Sequence, residues 1–183
     1  MPPGVPQDIY RELVSRAKDR GILTFVDAEG PALMAVLEAG PTVAKVDHRY
    51  MSRVAGIATT SLDKIIEIVS HVHEKGVEYA LTSYRTYGDV FFTPQGIFLA
   101  EMERKGVASL FGASEALMAG LVVARVERMP VEEALRFAMA CAQEDSFHVE
   151  KGIRGRREVE ALMDQIHLEK LALQRPGEAA PFV

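Results

Sequence analysis

Two periods of apolar residues alternate along the chain. From Pro6, "QDIYRELVSRAKDRG" puts Ile9, Tyr10, Leu13, Val14 and Ala17 on one helical face, and Gly21 supplies the stop. "ILTFVD" is short and β-prone and predicts a strand ending at Asp27. The pair then recurs: "GPALMAVLEAG", with Pro31 near its start, predicts a short helix, and "PTVAKVD" predicts a second strand ending near Asp47. "SLDKIIEIVSHVHEKG" repeats the helical spacing through Leu62, Ile65, Ile66, Val69 and Val72 and closes on Gly76. "VEYALTS" predicts the third strand.

The period changes after that point. "DVFFTPQGIFLAE" reads as two β segments around Thr93-Pro94-Gln95-Gly96, where proline presets the turn and glycine relaxes its exit, so one β-hairpin is expected. Three helices follow: an apolar one from about Gly112, "PVEEALRFAMACAQEDSF" from Pro130, and "RREVEALMDQIHLEKLAL" from about Arg156. Residues 1–172 are expected to form a single domain and residues 173–183 a flexible tail. Strands alternating with helices imply an α/β fold with a mostly parallel sheet, in which ligands sit beyond the carboxyl ends of the strands. That rule brings Asp27, Lys45, Asp47 and Ser83 towards one rim.

Composition narrows the class. The chain has 183 residues, 48% of them hydrophobic, enough for one substantial core and too few for two. Its formal net charge of -5, with both signs interspersed, offers no basic field for nucleic acid or an anionic membrane, so neither is expected as a partner. The start, Met1-Pro2-Pro3-Gly4-Val5-Pro6, lacks the basic and apolar regions of a secretion signal, and a cytoplasmic location is expected. "ASLFGASEALMAGLVVARV" is apolar, but it carries Glu115 and many small residues, which suits a helix buried between layers better than a membrane span. Cys141, the single cysteine, reads as a buried structural thiol.

Candidate chemistry gathers at that same helix. Small residues before a helix leave backbone N–H groups unpaired at the positive end of its dipole, so Gly112, Ala113 and Ser114 are candidates for holding a phosphate. A carboxylate at Glu115 beside them could take the proton from an attacking hydroxyl. It could equally do no more than favour an acidic first turn. No metal site is expected: His71 and His73 face different ways on a helix, and Glu144 with His148 form a facing i, i+4 pair without a third ligand. Lys151, Arg154, Arg156 and Arg157 in "EKGIRGRR" read as a solvated connector or as a reach towards a phosphate.

"PPGVP" before a helix, "VDAEG" after a strand, "LTSYRTYGDVFFTPQGIF" and "GASEALMAGLVVARVERMPVEEALRFAMACA" together resemble the PfkB or ribokinase-like carbohydrate kinases, in their 1-phosphofructokinase and tagatose-6-phosphate kinase branch. The resemblance runs from Pro2 to about Leu171 and covers the second half of the family pattern. It implies a three-layer α/β/α ribokinase-like fold, and ATP with magnesium as cofactors. By position, Glu115 takes the place of the family's catalytic aspartate, and Gly112, Ala113 and Ser114 that of its anion turn. Ser83, Arg85 and Gly88 fall in the nucleotide loop, and Lys45 and Asp47 in the segment that helps place nucleotide and magnesium.

Departures from the pattern are concentrated at those positions. The family's Gly-Ala-Gly-Asp turn reads Gly112-Ala113-Ser114-Glu115, Arg85 replaces a loop glycine, and Tyr50 stands where a glutamate is usual. A Cβ at Ser114 is expected to cost about 1–2 kcal/mol if the turn is left-handed there. These changes imply a degenerate, noncatalytic sugar-kinase half-domain that keeps weak nucleotide or anion binding and acts through assembly. Two alternatives are an ATP-dependent phosphotransferase acting on a sugar or sugar phosphate when a partner chain supplies the missing half, and a small-molecule anion-binding module. The family topology leaves "ILTFVD" without a neighbour, so a homodimer, another homo-oligomer, or a complex with a separately encoded amino-terminal half is expected.

Overall fold

The computed structural model describes residues 4–56, 61–103, 105–150 and 152–171. Six strands lie in one sheet in chain order: β1 (Phe25–Ala28), β2 (Val43–Val46), β3 (Tyr79–Tyr84), β4 (Gly88–Thr93), β5 (Gly96–Glu101) and β6 (His167–Leu171). β1, β2 and β3 pair in parallel, and each later strand is antiparallel to the one before it. β1, β2, β3 and β5 therefore run one way and β4 and β6 the other. The helices are α1 (Ile9–Lys18), α2 (Gly30–Leu37), α3 (His48–Ala55), α4 (Leu62–Glu74), α5 (Ala113–Val126), α6 (Val131–Ser146) and α7 (Arg156–Glu160).

Period-2 alternation splits the core in two. Val43, Leu81, Phe91, Phe98 and Ala100 point to one face and pack under α5 and α6. Ala44, Ala80, Val90, Ile97 and Leu99 point to the other, against Val14 of α1, Leu33 and Leu37 of α2, Met51 of α3, and Ile65 and Val69 of α4. The three-layer α/β/α expectation holds.

The layer of α5 and α6 is tight. A Cβ added at Gly120 would meet the Cα of Ala138 at 2.8 Å and Sγ of Cys141 at 2.9 Å, so only glycine allows this approach. Cys141 is buried, as expected, and burial together with Glu144 pushes its thiol pKa up to about 12, which removes it as a nucleophile.

The sheet has two edges among the described residues, β6 and β1, and the outer edge of β1 pairs with no strand there. The base of β1 is fastened by a reciprocal pair: the Thr24 amide donates to Thr42 Oγ1 at 3.1 Å, and the Thr42 amide donates to Thr24 Oγ1 at 3.1 Å.

Four sequence expectations are corrected. The helix expected from Arg156 through "RREVEALMDQIHLEKLAL" stops at Glu160, and a 3-10 turn at Met163–Gln165 leads into β6. Val159 and Ile166 keep their helical spacing and are buried, but the edge of β5 offers "HLEKL" a full ladder, with Leu99 opposite Glu169, and pairing overrides the period. Second, the chain makes two tight β-hairpins where one was expected. The turn at Thr93 to Gly96 is present, and residues 84–88 close another between β3 and β4. Third, α3 is an element the period did not announce. Fourth, β1 begins at Phe25, so Ile22 and Leu23 of the expected strand lie outside it and are exposed. The expected tail at 173–183 and Lys151 lie outside the described residues.

Candidate functional site

Parallel pairing of β1, β2 and β3 sets their carboxyl ends side by side, with Asp27 opposite Lys45 and Lys45 opposite Leu81 in register. The start of α5 stands over that rim. Between them lies a polar cleft of about 860 Å³, lined by Asp27, Glu29, Lys45, Asp47, His48, Arg49, Ser83, Ser114 and Glu115 among others. A smaller hollow of about 160 Å³ adjoins it and shares Lys45, Ser83 and Ser114, adding Arg85, Gly88, Asp89 and Ala113. The residues singled out from the sequence are thus brought to one place, with Gly112 capping the helix beside them.

Gly112 is the N-cap of α5 with φ 91°, the left-handed conformation that suits glycine. Ser114 already lies inside the helix and has no positive φ, so the backbone strain expected at that position is absent. What its side chain does instead is donate a hydrogen bond to Asp27 Oδ2 at 2.8 Å, tying the helix start to the end of β1. The Ala113 amide is spent on Leu110 O at 3.2 Å, while the Ser114 and Glu115 amides have no acceptor among the described residues. Glu115 is exposed and borders the cleft, where its carboxylate could accept a proton from a bound hydroxyl.

The steric cost falls on Arg85 instead. It sits at φ 59° in the β3–β4 turn, a conformation costing a non-glycine residue about 1–2 kcal/mol, and its guanidinium lies 4.8 Å from the centre of the Tyr84 ring. Gly88 has a packing reason to be glycine: a Cβ there would stand 3.0 Å from Cγ of Glu101 and 3.1 Å from Tyr84 O. Asp47 caps α3 by accepting the Arg49 amide at 2.9 Å.

Lys45 is not free. Its Nζ donates to Ser83 Oγ at 3.3 Å, and Ser83 Oγ in turn donates to Asp89 Oδ1 at 3.1 Å. Asp89, 9% exposed, is the first charged group inside β4, and burial raises its pKa above the ordinary 3.8 against the opposing pull of Lys45 and Ser83. Nearby His48 is kept neutral over a wider range than usual because its own burial outweighs the attraction of Asp47, and Arg49 and Lys45 add to the lowering.

Sequence reasoning missed Asp89 and His48. The signal for the first was a lone carboxylate opening an otherwise apolar strand, "DVFF"; its partnership with Ser83 follows from the register of β3 and β4, in which the two stand opposite. Nothing local marks His48. The basic connector contributes little to the rim: Arg156 is held by Glu127 at 2.7 Å and Glu160 at 2.6 Å. The Glu144–His148 pair does form, at 3.2 Å, and Glu144 also accepts the Arg154 amide at 3.3 Å, which fastens the loop after α6.

Towards a nucleotide, the start of α5 offers the Ser114 and Glu115 amides, while the neighbouring Lys45 ammonium is engaged by a chain ending on a buried carboxylate. For magnesium, no group of three or more carboxylate, imidazole or thiol side chains converges among the described residues. Asp27, Glu29, Asp47 and Glu115 line the cleft, and one or two of these carboxylates would hold the ion only with substrate phosphates and water completing its shell. No helix among the described residues is long and apolar enough to cross a membrane.

A six-stranded sheet between two helical layers, with a glycine-capped helix over the strand ends, is a ribokinase-like α/β fold. Residues 1–145 match the pfkB family carbohydrate kinases, and the chain belongs to that family. It is 23% identical over 171 residues to the 1-phosphofructokinase of Bacillus subtilis, covering 93% of this chain and 56% of that protein. A solved protein from Staphylococcus aureus superposes with a TM-score of 0.84 at 20% identity, over 93% of this chain and 55% of the other. The tetrameric inhibited form of phosphofructokinase-2 from Escherichia coli superposes with a TM-score of 0.78 at 20% identity, over 89% and 53%. The chain therefore spans about half the length of the relatives it matches.

Proposed function

We propose that this chain is a half-domain of the pfkB carbohydrate kinase fold that has given up phosphoryl transfer, keeps weak anion or nucleotide binding at the start of α5, and works through assembly. The observation that carries this reading is the Lys45–Ser83–Asp89 chain, which places an internal carboxylate against the ammonium of the rim. Extra length at Glu115 supports it, because displacing a reacting group by about 1 Å can lose about a hundredfold in rate. The test is an ADP-release assay of the full chain with ATP, magnesium and either fructose 1-phosphate or tagatose 6-phosphate. Background rates are expected, and turnover would end the reading.

A second reading, an ATP-dependent sugar-phosphate kinase completed by a partner chain, is favoured by the left-handed Gly112 and by Glu115 standing exposed at the cleft. If turnover appears with a co-expressed partner, Glu115→Gln should abolish it; an unaffected rate would remove Glu115 as the base. Without turnover, calorimetry with nucleotides and sugar phosphates separates the anion-binding module from a chain that only assembles.

Assembly is supported by the open flank. β1 has no outer neighbour among the described residues, and Leu13, Ile22 and Leu23 are 55%, 57% and 47% exposed. An unpaired strand edge beside apolar surface invites another chain, either a second copy or a separately encoded first half. Light scattering behind size exclusion should show a species larger than the monomer at micromolar concentration, and a clean monomer would contradict the homo-oligomer.

A further inference from the structure

We propose that a hollow at the opposite end of the sheet from the rim binds a small monocarboxylate with an apolar tail, its carboxylate held by Arg128. The hollow lies where β1, β2 and β3 begin. Phe25, Val43 and Leu81 form its floor, Leu121 of α5 and Leu135 of α6 its roof, and Arg125 and Arg128 stand at its mouth. Nothing in the kinase-like reading uses it, since that reading concerns the other ends of these strands.

Size and polarity select the ligand. Its volume is about 70 Å³, and since about 10–15 Å³ holds one water-sized group, roughly five such groups fit. Thr42 and the Tyr79 phenol apart, the walls are apolar side chains packed with the larger core, so a strongly polar ligand would leave most of its hydrogen bonds unmade there. A tail of about four carbons matches.

Charge selects the other end. Arg125 is 3.8 Å from Glu78, its one ion-pair partner among the described residues, and Glu127 is engaged with Arg156. Arg128 has no partner among the described residues. Its backbone is also telling. Arg128 closes α5 with φ 58°, its amide bonding Arg125 O at 3.3 Å while the Met129 amide bonds Ala124 O at 3.0 Å. This is the helix-ending motif in which glycine normally holds the left-handed position. Arg125 already gives that helix end a cation, so the dipole does not require a second at the strained position. A planar guanidinium at the lip of an apolar hollow is suited to a carboxylate whose tail points inward.

The test uses the full chain with methyl labelling, titrated with pentanoate and, separately, with pentylammonium. Pentanoate should shift the methyl signals of Leu81, Leu121 and Leu135 saturably, and pentylammonium should not. Arg128→Gly suits the left-handed backbone, keeps the fold, and should weaken pentanoate binding by about tenfold or more, the loss of one charge-assisted hydrogen bond. Arg128→Asn, which also tolerates that conformation, should act alike. The proposal is overturned by the absence of saturable shifts, by an equal response to pentylammonium, or by unchanged affinity in both variants. Shifts that follow protein concentration rather than pentanoate would assign the hollow to a second copy and overturn it as well.

Discussion

Asp89→Asn is expected to raise the affinity of the rim for inorganic tripolyphosphate by roughly tenfold or more, while stabilising the fold near neutral pH and not in acid. Asparagine keeps the shape of the side chain and can still bond Ser83, so the change removes charge and little else. One hydroxyl separates the Asp89 carboxylate from Lys45 Nζ, through contacts of 3.1 and 3.3 Å. Unit charges at about 6 Å in an effective dielectric near 20 interact by about 3 kcal/mol, and a tenfold change in affinity needs about 1.4 kcal/mol. Asp89 thus offsets much of the attraction Lys45 could offer a phosphate, and recovering even half of that interaction is enough.

The stability arm has a definite sign. Burial raises the Asp89 pKa in the folded state, so the native chain holds this proton more tightly than the unfolded one. Its favourable contribution is complete below the ordinary aspartate pKa and is lost as pH rises through the raised value. Urea melts of wild type and variant should therefore converge in acid and separate towards neutrality, with asparagine the more stable. Unchanged tripolyphosphate affinity by calorimetry would show that Asp89 does not neutralise Lys45.

Gly120→Ala is expected to destabilise the chain by about 2 kcal/mol, lowering Tm by roughly 4–8 °C, against the usual trend for this exchange in a helix. Alanine has a propensity advantage over glycine of about 1 kcal/mol in a helix interior. Here the added methyl meets the α6 backbone at Ala138 and the buried Cys141, at 2.8 and 2.9 Å. A main-chain atom cannot swing aside as a side chain does, so α5 and α6 must separate along a seam to which both contribute buried residues. An increase in the denaturation midpoint would show that the two helices stand further apart.

Much of this fold was legible because period and punctuation agreed. Leu62 to Val72 keep a helical face and Gly76 ends it; Ile97 and Leu99 alternate with Phe98 and Ala100, and the two sets do face opposite cores. Where the signals conflicted, tertiary context decided. "HLEKL" continued a helical spacing, yet the free edge of β5 drew it into the sheet. α3 was hidden because "HRYMSRVA" follows a strand directly, and its start is announced only by the Asp47 cap.

The site was legible in outline for a different reason: parallel strands ending together bring Asp27, Lys45, Asp47 and Ser83 to one rim whatever their spacing in sequence. Finer chemistry depended on register and on backbone angles. Asp89 becomes a neighbour of Ser83 only across a ladder, and the left-handed residue in question is Arg85 while Ser114 is plainly helical.

The reciprocal threonine clasp at the base of the open flank bears on how any assembly there would form. With the Thr24 and Thr42 amides satisfied inside the chain, β1 is an already ordered template. A newcomer docks on a finished seam, so little of its binding free energy is diverted into folding the surface it meets.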